Sequence, residues 1–304
     1  MRILNLFVLF LAATIAGCDL YPQDDYEEFV VVEAYLVTDR ALPLIFVSTT
    51  APVTEEYSFE NTGIPTADVR IHLMTGDENS AIEQTFTYEI GMDNVNQRIN
   101  GVFAAVDAHD VLPMRTYQID IRIDGREQIT GFTTTPNRFQ STGVVPDNVV
   151  YQSEEQIEVG IPRSTGDRQN FFIFTTISLE PSEEQLTPIY ADFFDPDEDE
   201  LDEFIKTSSG IVNEGNFELN PDGTITLVYP WIAVAFYGEN QIVTNIIDDN
   251  LFDFVRSESV QLGGSTLSPG EIPNLIYRLD NAIGVFGSIA ADTIQTNVLR
   301  PEGF

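Results

Sequence analysis

The sequence predicts an all-β protein. Its amino-terminal part is expected to be an immunoglobulin- or transthyretin-like β-sandwich, followed by a second β-rich domain with one or two short helices. Three observations predict this fold: short β-branched and aromatic runs, strict alternation of apolar with polar residues, and turn sequences such as Asp-Gly between them. Hydrophobic residues make up 43% and aromatic residues 11% of the 304 residues, enough for a folded core despite the high charge.

Residues 1–17 have the pattern of a signal peptide. Arg2 gives a positive start, and the apolar run from Ile3 to Ile15 is too short to cross a bilayer as a helix. Small residues then precede Cys18, the only cysteine. This ending resembles the lipobox of bacterial lipoproteins, which implies that Cys18 is lipidated and anchors the chain in a membrane. An ordinary cleaved signal peptide with a chance cysteine is the alternative.

Residues 18–28 carry the lipidated cysteine and an acidic, polar stretch that we interpret as a tether. Acidic residues after such a cysteine resemble the signal that sends lipoproteins of the Bacteroidota to the outer face of the outer membrane. We therefore expect a lipid-anchored outer-membrane protein, at the cell surface rather than on the periplasmic face. A plain solvated linker is the alternative for this stretch.

Residues 29–136 form the predicted sandwich. The first two predicted strands are continuous apolar runs, and the next strands alternate apolar with polar residues, as expected of a sheet that covers a core on one side. An Asp124-Gly125 turn separates the last two strands. The predicted strands are Phe29 to Val37, Leu44 to Thr50, Ala67 to Leu73, Tyr117 to Ile123 and Gln128 to Thr134.

Residues 137–304 form the second predicted domain. A hairpin turn is expected at Asn220 to Gly223, and a helix at Leu251 to Val255, where apolar residues fall at helical spacing behind Asp248 and Asp249, which can cap its first turn. The predicted strands are Gln156 to Ile161, Asn170 to Leu179, Phe217 to Leu219, Thr224 to Tyr229 and Ala233 to Tyr237.

The charge balance is strongly acidic, with 49 Asp and Glu against 14 Lys and Arg and a formal net charge of -35. Such a chain repels nucleic acid and anionic membrane surfaces, so nucleic-acid binding is not expected. Lys206 is the only lysine. Acid excess with almost no lysine is typical of proteins from saline habitats, where salt screens the self-repulsion. A merely acidic secreted protein is the alternative.

Catalysis has little support in the sequence. His72 and His109 are the only histidines; His72 lies on the polar side of an alternating strand and His109 in an expected loop, so structural roles are favoured for both. The nucleophile elbow, phosphate loop, dinucleotide fingerprint and zinc-helix motifs do not occur. We expect a protein that is not an enzyme and that needs no cofactor.

Two weak candidate sites come from composition. Asp195, Asp197 and Asp199 have a spacing similar to calcium loops, but Glu200 stands where the loop needs glycine and Lys206 where it needs a bidentate glutamate, so a solvated acidic loop is favoured.

Tyr229, Trp231 and Tyr237 belong to the most aromatic segment and are the candidates for a ligand platform. Core packing is the favoured interpretation for these residues.

Several motifs in order along the chain carry a resemblance to a family. They are the lipobox, VVVEAYLV from residue 30, GIPTADV from residue 63, TYQI from residue 116, TTTP from residue 133 and NAIGVFG from residue 281. Together they resemble an uncharacterised family of Bacteroidota outer-membrane lipoproteins, a domain-of-unknown-function family whose genes often lie beside TonB-dependent receptors. The resemblance implies no ligand and no catalytic residues. Within the last motif, a glycine-bearing strand element that packs closely is favoured over a binding loop.

The expected function is that of a lipid-anchored envelope accessory protein with a non-catalytic binding role, one that assists a TonB-dependent outer-membrane transporter. A cell-surface adhesion or envelope-assembly module is the first alternative, because a sandwich on a stalk suits it equally. A carboxylate-dependent glycan hydrolase is the less favoured one, because carboxylates are so abundant here that any pair of them carries little information.

Overall fold

The fold is all-β, as the sequence predicts. The computed structural model describes residues 26–52, 54–142, 145–164, 169–196, 200–262 and 275–301. The signal peptide, Cys18 and most of the tether therefore lie outside the described residues. The strands are β1 Val30–Val37, β2 Ile45–Thr49, β3 Asp68–Met74, β4 Ile82–Ile90, β5 Val102–Ala105, β6 Thr116–Arg122, β7 Ile129–Thr134, β8 Asn148–Val150, β9 Glu158–Pro162, β10 Phe171–Ser178, β11 Lys206–Ser208, β12 Val212–Asn213, β13 Thr224–Val228, β14 Gly238–Ile247, β15 Leu279–Asp280 and β16 Ile283–Leu299. The helices in this part of the chain are α1 Phe59–Thr62, α2 Pro188–Phe193 and α3 Asp249–Leu262, with short 3-10 turns between strands.

One large sheet carries most of the strands. Its hydrogen-bonded order is β11-β10-β14-β16-β1-β2-β5-β4-β3-β6-β7-β15, with β12 beside β10 and β8 beside β16, and β13 and β9 form a separate pair. The amino-terminal strands curl around one core, in which β1 and β2 face β3, β6 and β7. The alternating strands behave as predicted, since Ile71, Ile119 and Ile121 are fully buried. This core is consistent with the predicted sandwich-like fold.

The turn between β6 and β7 uses the predicted glycine. Gly125 takes a positive φ of 78°, and the Arg126 N–H donates to the Ile123 carbonyl at 3.1 Å. In the second region, Gly223 closes the predicted hairpin turn in the same way, with a φ of 84° and a hydrogen bond from its N–H to the Asn220 carbonyl at 3.0 Å.

The long strand β16 links the two regions. It pairs in parallel with β1, from Val31 opposite Ile283 to Val37 opposite Ile289, and its second half pairs antiparallel with β14. One face of this strand serves both cores, because Phe286 enters the first core and Ala290 and Val298 enter the second. The two regions on either side of residue 136 thus share a continuous sheet and a strand, and the predicted division into domains 29–136 and 137–304 stays a prediction.

Glycines allow β16 to lie close to its neighbours. Gly284 has a φ of 109°, and a Cβ there would lie 2.2 Å from the Val32 carbonyl oxygen. A Cβ on Gly287 would lie 2.5 Å from the Leu251 Cγ of α3. The interpretation of this motif as a closely packed strand element is confirmed.

The second core forms between the large sheet and the β9–β13 pair. Strands β9, β10 and β13 match the prediction, but the strand expected at Ala233 to Tyr237 is wrong. The chain there runs from a 3-10 turn at Trp231–Ala233 into a buried connection before β14. The apolar side chains of this segment are buried in the protein interior, although its backbone does not pair as a strand of a sheet. Of the strand expected at Phe217 to Leu219, only an isolated bridge from Leu219 to Ile225 forms.

Helix α3 begins at the predicted cap. The Asp248 Oδ1 accepts the Leu251 N–H at 3.0 Å, and the Thr133 hydroxyl donates to Asp248 Oδ2 at 2.5 Å. The Asn250 amide donates to the carbonyls of Phe132, at 2.6 Å, and Phe286, at 2.7 Å. The first turn of α3 is therefore fixed to both β7 and β16, which determines where the helix lies over the sheet.

Candidate binding site

The second half of the large sheet has two apolar faces. Residues of even number on β10 and β14, such as Phe172, Phe174 and Ile242, fill the second core. Residues of odd number point to the opposite face, because side chains alternate along a strand. On that face Ile173, Ile177 and Val243 are only half-buried. We call this surface, on β10, β14 and β16, the open face.

Helix α3 covers one end of the open face. Its Leu251 packs with Ile247 of β14, and partly buried Ile289 of β16 joins the same cluster. Between the helix and the sheet lies a groove with a volume of about 280 Å³. Its described lining residues are Ile173, Thr175, Ile177, Lys206, Val243, Asn245, Ile247, Leu251, Val255 and Ile289. The groove is close in size to the smaller ligand cavities of proteins, which start at about 300 Å³.

Lys206 lies at the end of the groove away from the helix. Strand β11 pairs antiparallel with β10, which puts Lys206 directly opposite Ile177. Directly opposed residues of such a pair project to the same face, so the exposed lysine projects on the open face. Among the described lining residues, it is the only charged one.

The polar groups inside the groove are bonded to the protein itself. The Asn245 amide donates to the Ile173 carbonyl at 2.9 Å, and the hydroxyls of Thr175 and Ser208 are 3.2 Å apart. Most of the groove therefore offers apolar contact, with one cation at its end. This arrangement can hold an apolar group and orient it by charge, and its described lining residues include no nucleophile paired with a base.

The aromatic candidates lie elsewhere, at the second core. Tyr229 is buried, its hydroxyl is 2.7 Å from the Thr176 hydroxyl, and burial raises the pKa of Tyr229 to about 12. Trp231 is half-buried and meets the Tyr151 ring edge-on at 5.3 Å. Tyr237 is buried under the Arg300 guanidinium, 4.9 Å from its ring centre. Core packing accounts for all three positions.

Both histidines have structural surroundings. His72 is buried between strands, with Nδ1 at 2.8 Å from the Thr85 hydroxyl and Nε2 at 3.8 Å from Asp120 Oδ2. Burial lowers its pKa below 6.5, although Asp120 acts in the opposite direction. His109 stacks on Phe86 at 4.3 Å, and burial also lowers its pKa.

The remaining predicted sites are only partly covered by the described residues. Cys18, Asp197 and Asp199 lie outside them, and Asp195 is exposed after α2. Among the residues that the structure describes, no three His, Cys, Asp or Glu side chains converge as metal ligands. The lipidation of Cys18 and the calcium loop stay predictions.

The groove itself was not anticipated from the sequence. The sequence predicts no strand at β14, which with β10 forms most of the groove floor, and Lys206 stands out only as the single lysine and as a departure from the calcium-loop pattern. One signal was present in β10, where Phe171, Phe172, Ile173 and Phe174 are apolar at odd and even positions alike. A strand that is apolar on both sides needs two partners, and only one of its sides is covered by the second core.

Comparison with known proteins identifies the family. A family model described as a domain of unknown function, DUF4249, matches residues 19–295. The chain belongs to the DUF4249 family. Curated proteins give no match to this DUF4249 chain. Among solved structures, the crystal structure of Salmonella alpha-2-macroglobulin reacted with methylamine is similar at a TM-score of 0.23 and 7% identity, covering 90% of this chain and 15% of that protein. The DUF4249 chain thus corresponds to a small part of that protein's length. Throughout the part of the chain that the structure describes, no helix has the length and apolarity needed to cross a membrane.

Proposed function

We propose that this DUF4249 protein is a lipid-anchored accessory protein of the outer membrane with a non-catalytic binding role, and that it assists a TonB-dependent transporter. The observation that carries the binding role is the groove on the open face. Its floor is apolar sheet, its side is helix α3, and its end is marked by one lysine. An apolar cavity with few polar groups is the usual form of a ligand site.

The proposed membrane location is inferred from the sequence. The residues ending in Cys18 resemble a lipobox, and a triacylated cysteine anchors a protein far more firmly than a single acyl chain. Seven residues separate Cys18 from Tyr26, the first described residue, and the eight residue-to-residue steps of an extended chain span at most about 28 Å. The sandwich would therefore remain within reach of a partner embedded in the same membrane.

The beginning of the described chain is held against the sandwich. The Tyr26 hydroxyl bonds the Thr50 carbonyl, and the Phe29 N–H donates to the Thr50 hydroxyl at 3.1 Å. The tether thus joins the fold at one defined end, beside the last residues of β2.

Two measurements test this proposal in the native host. In the first, the complete chain with its leader is compared with Cys18→Ala by membrane fractionation. We expect the wild type in the outer-membrane fraction and the variant released from it. Full membrane retention of the variant would refute lipid anchoring.

In the second measurement, the wild type is cross-linked in cells, extracted in mild detergent and purified. We expect a TonB-dependent β-barrel to be identified in the complex by mass spectrometry, and uptake of its nutrient to fall when the gene is deleted. If deletion abolishes cell adhesion and leaves uptake intact, the adhesion alternative replaces this proposal.

A further inference from the structure

We propose that the groove on the open face binds an amphipathic carboxylate, a molecule with an unbranched apolar tail and one carboxylate head. The tail lies between α3 and the sheet, and the head meets the Lys206 ammonium. This inference deepens the proposed function by naming the ligand class of the same groove, and it rests on that function only for the biological use of the ligand.

The lining of the groove is complementary to an apolar tail. Ile173 and Ile177 on β10 and Val243 on β14 form an apolar floor, and Leu251 of α3 forms the side. Thr175 and Asn245 interrupt the floor, but their polar groups are bonded to Ser208 and to the Ile173 carbonyl. A polar ligand would find few free partners there, whereas a hydrocarbon gains about 25 cal/mol for each Å² of apolar surface removed from water.

The length of the tail follows from the strand register. Lys206 lies opposite Ile177, and Ile173 lies four residues farther along the same strand on the same face. Four residues of β-strand span about 13 Å. The groove therefore fits the extended tail of a medium-chain carboxylate such as decanoate, with its head at the lysine.

The charge of Lys206 is complementary to a carboxylate head. In the described part of the chain, seven arginines form ion pairs with Asp or Glu side chains. Among the described residues, Lys206, like Arg40, has no side-chain hydrogen bond or ion pair, but Lys206 is the one of the two that lines the groove. In a chain of net charge -35, a cation left without a carboxylate at the end of an apolar groove is complementary to an anionic ligand head.

A carboxylate is favoured over a neutral apolar molecule for the same reason. A neutral alcohol of equal length would gain the contacts with Ile173 and Val243 but not the ion pair. The comparison of decanoate with decanol therefore isolates the contribution of Lys206. An ion pair with an exposed or half-exposed lysine is expected to favour the carboxylate by about 3- to 30-fold.

The experiment uses the complete mature chain from residue 18, with Cys18→Ala so that no attached lipid competes for the groove. Binding of decanoate and of decanol is measured by calorimetry below the concentration at which decanoate forms micelles. We expect saturable binding of both at one site, with decanoate about 3- to 30-fold tighter. Lys206→Gln should remove that preference, and Lys206→Arg should keep most of it.

Two further variants complete the test. Arg122→Gln removes one exposed positive charge at the end of β6, a strand that does not line the groove, and should leave the preference unchanged. Val243→Asp places a negative charge on the groove floor and should weaken both ligands at least tenfold, with circular dichroism as the check of folding. Because Lys206 is exposed, its Gln variant decides the question if the Asp variant does not fold.

The inference is overturned if decanoate does not bind, if decanol binds as tightly as decanoate, or if Lys206→Gln keeps the preference. These results do not depend on a membrane or a transporter. Failure to find a transporter in the cross-linked complex, together with selective decanoate binding, would refute the proposed function and leave the ligand class standing. The opposite pair of results would refute only the ligand class.

Discussion

The amino-terminal sandwich depends on a side chain from the other end of the sequence. Phe286 on β16 lies opposite Ala34 of β1 and is 1% exposed within the first core. Phe286→Ala removes a buried aromatic ring, and such changes cost about 3–5 kcal/mol of unfolding free energy. The loss of stability should therefore increase the opening of β1, about 250 residues away along the chain.

Hydrogen exchange with mass spectrometry measures this directly. A factor of ten in an equilibrium corresponds to about 1.4 kcal/mol, so a loss of about 3–5 kcal/mol should speed the exchange of amides that open only by unfolding by about 100-fold to several thousand-fold. We expect this in peptides that cover Val30–Val37. Ile294→Ala is the matched control, because it trims the same strand at the second core.

The control should lower protection in β14 more than in β1, since Ile294 lies opposite Ile242. If Phe286→Ala leaves the exchange of β1 at the wild-type rate, the sandwich does not depend on β16. The account of a strand shared between the two cores would then be wrong.

Three other results are expected. Asp248→Ala should lower the unfolding free energy by about 0.5–2 kcal/mol in urea titrations, because it removes the cap of α3; an unchanged midpoint would contradict that role. Burial lowers the pKa of His72 in the folded state, so protons bind the unfolded state first and stability should fall as the pH drops below about 6.5. His72→Gln should flatten that loss, measured as urea midpoints at about pH 7.5 and 5.5, and an equally steep loss in the variant would exclude His72 as its source. The melting temperature should rise with sodium chloride from about 0.1 to 1 M as screening reduces self-repulsion, and a constant value would favour a merely acidic protein without salt adaptation.

The strands with local signals were predictable from the sequence. In β3 and β6 the apolar positions recur every second residue, and Asp124-Gly125 marks the turn before β7. Helix α3 was predictable from its apolar spacing and from Asp248, which does cap it. In each case the information lies within a few neighbouring residues, where backbone preference and one-sided burial act together.

Only the start of strand β16, within residues 281–287, was predictable, because the environment of the rest is set by distant partners. Its β-branched residues are interrupted by Gly284, Gly287 and Asp292, residue types that are depleted in strands. The glycines are required because Val32 and Leu251 approach the backbone closely. The glycines indicate a close approach, but nothing near them in the chain indicates that Val32 and Leu251 are the residues that approach.

The groove was not predictable either, because it is also formed by residues that are distant in the chain. Its floor joins β10, β14 and β16 with the single lysine of β11, and these strands meet only through the order of the sheet. The aromatic segment around Trp231 looked more like a site because it concentrates large side chains, but these fill the second core. Composition identifies side chains that need burial, whereas it does not identify the face of a sheet that the described residues cover only in part.

Lys206 is proposed to mark the end of a ligand groove, and as the single lysine it can be observed directly by NMR. Reductive methylation with ¹³C-labelled formaldehyde gives Lys206 two labelled methyl groups and keeps its positive charge. The binding account predicts that decanoate shifts this resonance in a saturable way, that decanol shifts it much less, and that Val243→Asp abolishes the effect. A Lys206 resonance that stays in place at saturating decanoate would contradict the claim that the open face is a binding site.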